Sequence, residues 1–97
     1  MNDPVTKEAY SRAVLVTINS LFALAIESAD VLSVRIEYSS GMKMLNVIIF
    51  SSNTTDHAHN IVLLDDAQAL KDLLAIEDEL IERVAQRRDE LEKEDAA

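Results

Sequence analysis

No cysteine occurs in these 97 residues. Disulfides, thiolate catalysis and cysteine-held zinc are therefore excluded, and a reducing cytoplasm is the expected setting. One glycine, Gly41, and one proline, Pro4, are the only strong breakers. So few breakers predict long regular elements joined by short connections. A single glycine also rules out a Gly-rich phosphate loop. The aromatics are two Tyr and two Phe, so Leu, Ile, Val and Ala must fill the core. Positive charge is scarce as well, with 9 basic against 18 acidic residues and a formal net charge of -9. Nucleic acid and anionic membrane surfaces demand clustered Lys and Arg, and neither is an expected partner. A basic protein is the electrostatic complement.

What the chain does have is an oily run near its N-terminus, AVLVTINSLFALAI over residues 13–26. At 14 residues the run is short of the roughly 20 that a membrane-spanning helix needs, and Arg12 and Glu27 close it on both sides. A secretory signal would carry a positive leader, whereas Asp3, Lys7, Glu8 and Arg12 cancel. The expected form is a buried helix, with Asp3 as cap and Pro4 in the first turn. Two apolar stripes run along it at helical spacing. One is Tyr10, Ala13, Val14, Leu21 and Ala25; the other is Leu15, Ile18, Phe22 and Ile26. A helix with one buried face shows one stripe. The second stripe, Leu15, Ile18, Phe22 and Ile26, is therefore expected to be the seam of a homodimer.

VLSVRIEY, residues 31–38, alternates as a half-buried strand, with Leu32, Val34, Ile36 and Tyr38 on one face. SSGMK, residues 39–43, is the expected turn, with Gly41 able to take positive φ. MLNVIIFS, residues 44–51, returns with Leu45, Val47 and Ile49 inward. A two-residue turn pairs Ile36 with Leu45, and a four-residue loop shifts the pairing by two while keeping the same faces together. The opposite face carries Met44, Ile48 and Phe50, too apolar to be simply solvated. SSNTTD, residues 51–56, reads as a polar loop, and part of 57–64 reads as a third antiparallel strand.

Asp65 and Gln68 stand at capping-box positions for a long C-terminal helix running to about Glu94. Its apolar stripe is dense to Val84 and sparse afterwards. Residues 87–97 are thus expected to be a charged helical extension or tail that overhangs the core. The chain is read as a single small two-layer α+β domain over 1–97: an N-terminal helix, an antiparallel hairpin or, with the third strand, a three-stranded meander, and the long C-terminal helix (αβββα).

No catalytic, cofactor or metal constellation emerges. His57 and His59 would share a strand face near Asp56 and Asp65, but a metal site needs at least three placed ligands. Residues 56–79 hold seven acids and one base, Lys71, the densest negative stretch of the chain. The expected partner-binding face is Asp65, Asp66, Asp72, Asp78, Glu79 and Glu82. In size and charge the chain is similar to small acidic inhibitors and accessory proteins of phages and bacteria. These include immunity proteins, anti-restriction and anti-CRISPR factors, and DNA mimics. That likeness is one of composition and rests on no motif. It implies a non-enzymatic, cytoplasmic, dimeric module that binds a basic partner, such as one with a nucleic-acid-binding site to block. The alternative is a structural protein that assembles through its apolar helix and sheet faces.

Overall fold

A computed structural model describes residues 4–50 and 57–96. The Asp3 cap, the 51–56 loop and Asp56 lie outside the described residues. The element order is α1 (Pro4–Glu27), β1 (Ser33–Ser39), β2 (Met44–Phe50), β3 (His57–Leu63) and α2 (Ala69–Ala96). The strands form one antiparallel sheet in the order β1-β2-β3, and both helices pack on one of its faces. This is the two-layer αβββα arrangement that the periodicities predict.

The inward face of the sheet is set by the period of two. Val34 pairs with Ile49, Ile36 with Val47 and Leu45 with Val62. Leu45, Val47 and Ile49 on the central strand are completely buried. From the helices, Val14 and Leu21 of α1 meet Leu73, Ile76 and Leu80 of α2 above them. Each such Leu or Ile contributes about 1.5–3 kcal/mol by leaving water. Two hydroxyls are buried in this oily setting. Thr17 donates to the Ala13 carbonyl at 2.9 Å and Ser28 to that of Leu24 at 2.6 Å, so each bonds one turn back and is not orphaned.

The hairpin departs from expectation in one respect. Ser40–Lys43 form a four-residue loop, giving the longer of the two registers, with Ser39 opposite Met44. Gly41 does not take positive φ; Lys43 does, at 48°. A loop of this length places its left-handed residue last, just before the return strand, and that position falls on Lys43.

Two boundaries also move. β1 starts at Ser33, not 31, because the Ser28 carbonyl accepts the N–H groups of both Val31 and Leu32 at 2.9 Å and so prolongs the α1 terminus as a turn. α2 starts at Ala69, not at Asp65. Asp66 supplies the local acceptor: its Oδ1 takes the Gln68 N–H at 2.7 Å and its carbonyl takes that of Ala69 at 3.1 Å. Asp65 instead approaches Lys43 at 3.5 Å. A side chain that bonds two residues on makes a turn and delays the helix.

The helices run parallel. Near their starts, Tyr10 Oη donates to the Ala67 carbonyl at 3.1 Å and accepts the Leu70 N–H at 3.2 Å. Near the end of α1, Arg88 makes a two-pronged pair with Asp30 at 3.2 and 3.3 Å. Beyond Arg88 the helix α2 overhangs, and the molecule measures 58 × 23 × 18 Å. The radius of gyration is 15.6 Å, against about 13 Å for a compact chain of this size.

Candidate protein-interaction surfaces

The acids predicted to bind a partner are strung along α2 and the turn before it and do not form one patch. Asp72 and Glu79 share the flank turned toward β3, where they line an open groove of about 310 Å³ with His59, Asn60 and Ile61. Asp78 lies on the other side of α2, beside Leu70 and Leu74. Glu82 follows Asp78 by one turn. Asp65 and Asp66 stay in the turn before the helix, and about 20 Å of helix rise separates its first residue, Ala69, from Glu82.

Internal pairing decides which of these charges remains free. Every arginine, with Lys43 and Lys93, sits within 3.7 Å of a carboxylate. Glu79 is engaged by Arg83 at 3.1 Å and Asp65 by Lys43. Asp66 serves the turn. Asp72, Asp78 and Glu82 have no cationic partner among the described residues. Neither do Glu77, Glu92, Glu94 and Asp95. Among the described residues, the carboxylates left without a cation thus all belong to α2, apart from Glu27 and Asp66.

The second stripe of α1 is mostly uncovered. Leu15 is 61%, Phe22 41% and Ile26 74% exposed, while Ile18 is half-buried against the core. Val16, 62% exposed, widens the stripe. Phe22, Ala25, Ile26 and Ala29 border a shallow groove with Val34 and Ile36 of β1. Thr6–Glu27 is also long and apolar enough to cross a membrane by length and composition alone. Its other face, with Val14, Thr17 and Leu21, is buried within the fold.

On the outer face of the sheet, among the described residues, no helix lies over Met44, Ile48 and Phe50. Ile48 is nevertheless only 6% exposed, because Arg35 and His59 flank it on the neighbouring strands. Ile61 and Leu63 on β3 are more than half exposed. His57 and His59 share this face as expected, with rings edge to face at 5.3 Å, and Phe50 lies 5.5 Å from His57. Among the described residues no three His, Asp or Glu converge as metal ligands.

Sequence patterning did not single out the edges of the sheet. The Leu64 N–H donates to the Lys43 carbonyl at 2.8 Å, which makes 43 and 64 a hydrogen-bonded pair. Alternation along an antiparallel ladder then fixes every other strand position. His57, His59, Ile61 and Leu63 turn their backbone groups away from β2 on one edge. Val34, Ile36 and Tyr38 do so on the other. Comparison with family models, with curated proteins and with solved structures finds no match to this chain.

Proposed function

We propose that this protein is a small non-catalytic binding module that presents the acidic strip of α2 to a basic protein partner. The observation that carries this reading is the segregation of charge. After internal pairing, the uncompensated carboxylates of the described residues concentrate on one helix, with Asp72 in its first turn and Asp78 and Glu82 in the turns that follow. Solubility alone would be served by negative charge spread over the surface. Asp78 and Glu82, one turn apart and alike in sign, destabilise α2 slightly, which a partner of opposite sign would relieve. The groove beside Asp72 also borders the free edge of β3, where an extended basic segment could add as a further strand.

The test uses an oligolysine peptide as probe and two variants matched in charge. Reversing Asp72, Asp78 and Glu82 to Lys is expected to weaken binding strongly, leaving helical circular dichroism unchanged. Reversing Glu92, Glu94 and Asp95 in the overhang is expected to weaken it far less. Equal losses would mean that only net charge matters, and the face would have no special role.

A second reading is favoured by the exposed α1 stripe. The protein would then be an assembly component that associates with itself through Leu15, Ile18, Phe22 and Ile26. The two readings are compatible, since α1 and the β3 flank of α2 lie on opposite sides of the molecule.

A further inference from the structure

We infer that a second copy of this chain docks on the free edge of β1, joining two three-stranded sheets into one of six strands. The inference gives form to the self-association reading and does not depend on the acidic strip.

The first support is the strand itself. Ser33–Ser39 reads SVRIEYS. Run antiparallel to a copy of itself about a two-fold axis through Ile36, it places Ile36 on Ile36, Val34 on Tyr38, and Arg35 on Glu37. Both charged contacts are between opposite signs, and both apolar contacts match. Directly opposed charges of opposite sign stabilise a cross-strand pair, whereas like charges disrupt it. Arg35 and Glu37 lie 3.7 Å apart within one strand and both are exposed, so each is free to turn to the second copy.

The second support is independent of side chains. The backbone groups of Val34, Ile36 and Tyr38 are those left unbonded by β2. In the register centred on Ile36, these same residues face one another. Each opposed pair can therefore exchange both N–H···O bonds. A shift by one residue would set bonded positions against free ones and lose the ladder.

The third support is what flanks the edge. A two-fold axis normal to the sheet keeps both helical layers on one side and lays α1 beside α1 of the second copy. Leu15, Phe22 and Ile26 then face each other across the seam, and the groove lined by Phe22, Ala25, Ile26, Ala29, Val34 and Ile36 is closed. Among the described residues, no charged side chain lines that groove. Tyr38, 56% exposed in one chain, is covered by Val34 of the other. The β3 edge offers no such match. Its flanking groove carries Asp72 and Glu79, and two copies meeting there would oppose negative charges. Open edge strands invite pairing, and the self-complementary one is the one bordered by apolar surface.

Three measurements decide. Light scattering over a dilution series should give the mass of a dimer. Arg35→Glu should weaken the dimer by about tenfold or more, since it opposes like charges twice across the axis. Combining it with Glu37→Arg should restore the affinity, because the pair is then merely exchanged. Arg35 is exposed, so folding should survive and circular dichroism should not change. The absence of native cysteine makes the last measurement clean. Ile36→Cys should give a covalent dimer on mild oxidation, because hydrogen-bonded antiparallel pairs hold their Cα atoms about 5.5 Å apart, within disulfide range. Ile61→Cys on β3 should not. A wild-type monomer overturns the proposal, and so does a dimer indifferent to Arg35→Glu or one that Ile36→Cys fails to trap. A dimer of the last two kinds leaves self-association through another face standing.

Discussion

Leu21 and Leu15 sit six residues apart on α1, yet their surroundings differ completely. Leu21 is fully buried between α2 and the sheet, and Leu15 is 61% exposed. Leu21→Ala should destabilise the fold by about 2–5 kcal/mol, through lost transfer energy and the cavity it leaves. Leu15→Ala should leave the monomer fold within about 0.5 kcal/mol of wild type, as surface substitutions do. Urea titration of the two variants checks the contrast. At Tyr10, the hydroxyl serves the first turn of α2, where amides have no partner in the helix. Tyr10→Phe removes the acceptor for the Leu70 N–H and should cost about 0.5–1.5 kcal/mol in the same titration. Gly41 presents the opposite case. Its φ is not positive, and a Cβ built there meets nothing within 4 Å. Gly41→Ala should stabilise by about 0.4–1 kcal/mol, by restricting the unfolded chain.

Among the elements, α1 is apolar nearly all round because it faces two environments. One stripe packs into its own chain and the other is exposed. α2 is divided along its length instead. Leu73, Ile76 and Leu80 lock its first half to the core, and Val84 still packs against it. Past Arg88, the ion pairs among the described residues are Asp89 with Lys93 and, bridging from the turn before, Arg87 with Glu90. Such pairs contribute about 0.2–0.5 kcal/mol each. Hydrogen exchange should therefore divide α2 in two. Amides from Leu73 to Val84 should exchange only with global unfolding, and those after Asp89 should exchange orders of magnitude faster. Uniform protection along α2 would mean that a partner or a second copy holds the overhang.

At the scale of the whole molecule, the two grooves beside the sheet differ in charge. Among the described residues, Leu15, Val16, Phe22, Ile26 and Tyr38 are exposed on α1 and β1, Ile61 and Leu63 on β3, and Leu74 and Ile81 on α2. The lining of the groove between α1 and β1 is apolar, whereas the one between β3 and α2 carries Asp72 and Glu79. Self-association and capture of a basic partner should then respond differently to salt. Raising ionic strength shortens the Debye length to about 3 Å at 1 M and should abolish oligolysine binding. The dimer mass should survive, since apolar burial is not screened.

The sequence by itself determined the element order, the inward face of each strand and the double stripe of α1. These are local periodicities of 2 and 3.6, written in neighbouring residues and indifferent to where the chain goes next. It also determined that charge would be acidic and densest around the start of α2. Only the tertiary structure decided which acids stay free, because Arg83 and Lys43 claim Glu79 and Asp65 through geometry that composition does not record. It decided that α2 begins at Ala69, since the Asp66 side chain takes the Gln68 N–H and Tyr10, remote in sequence, takes that of Leu70. It decided, above all, which strands are edges. Val34, Ile36 and Tyr38 look like ordinary core-facing positions in sequence. Their free backbone groups follow from strand order and register, and those depend on long-range pairing that no local pattern contains.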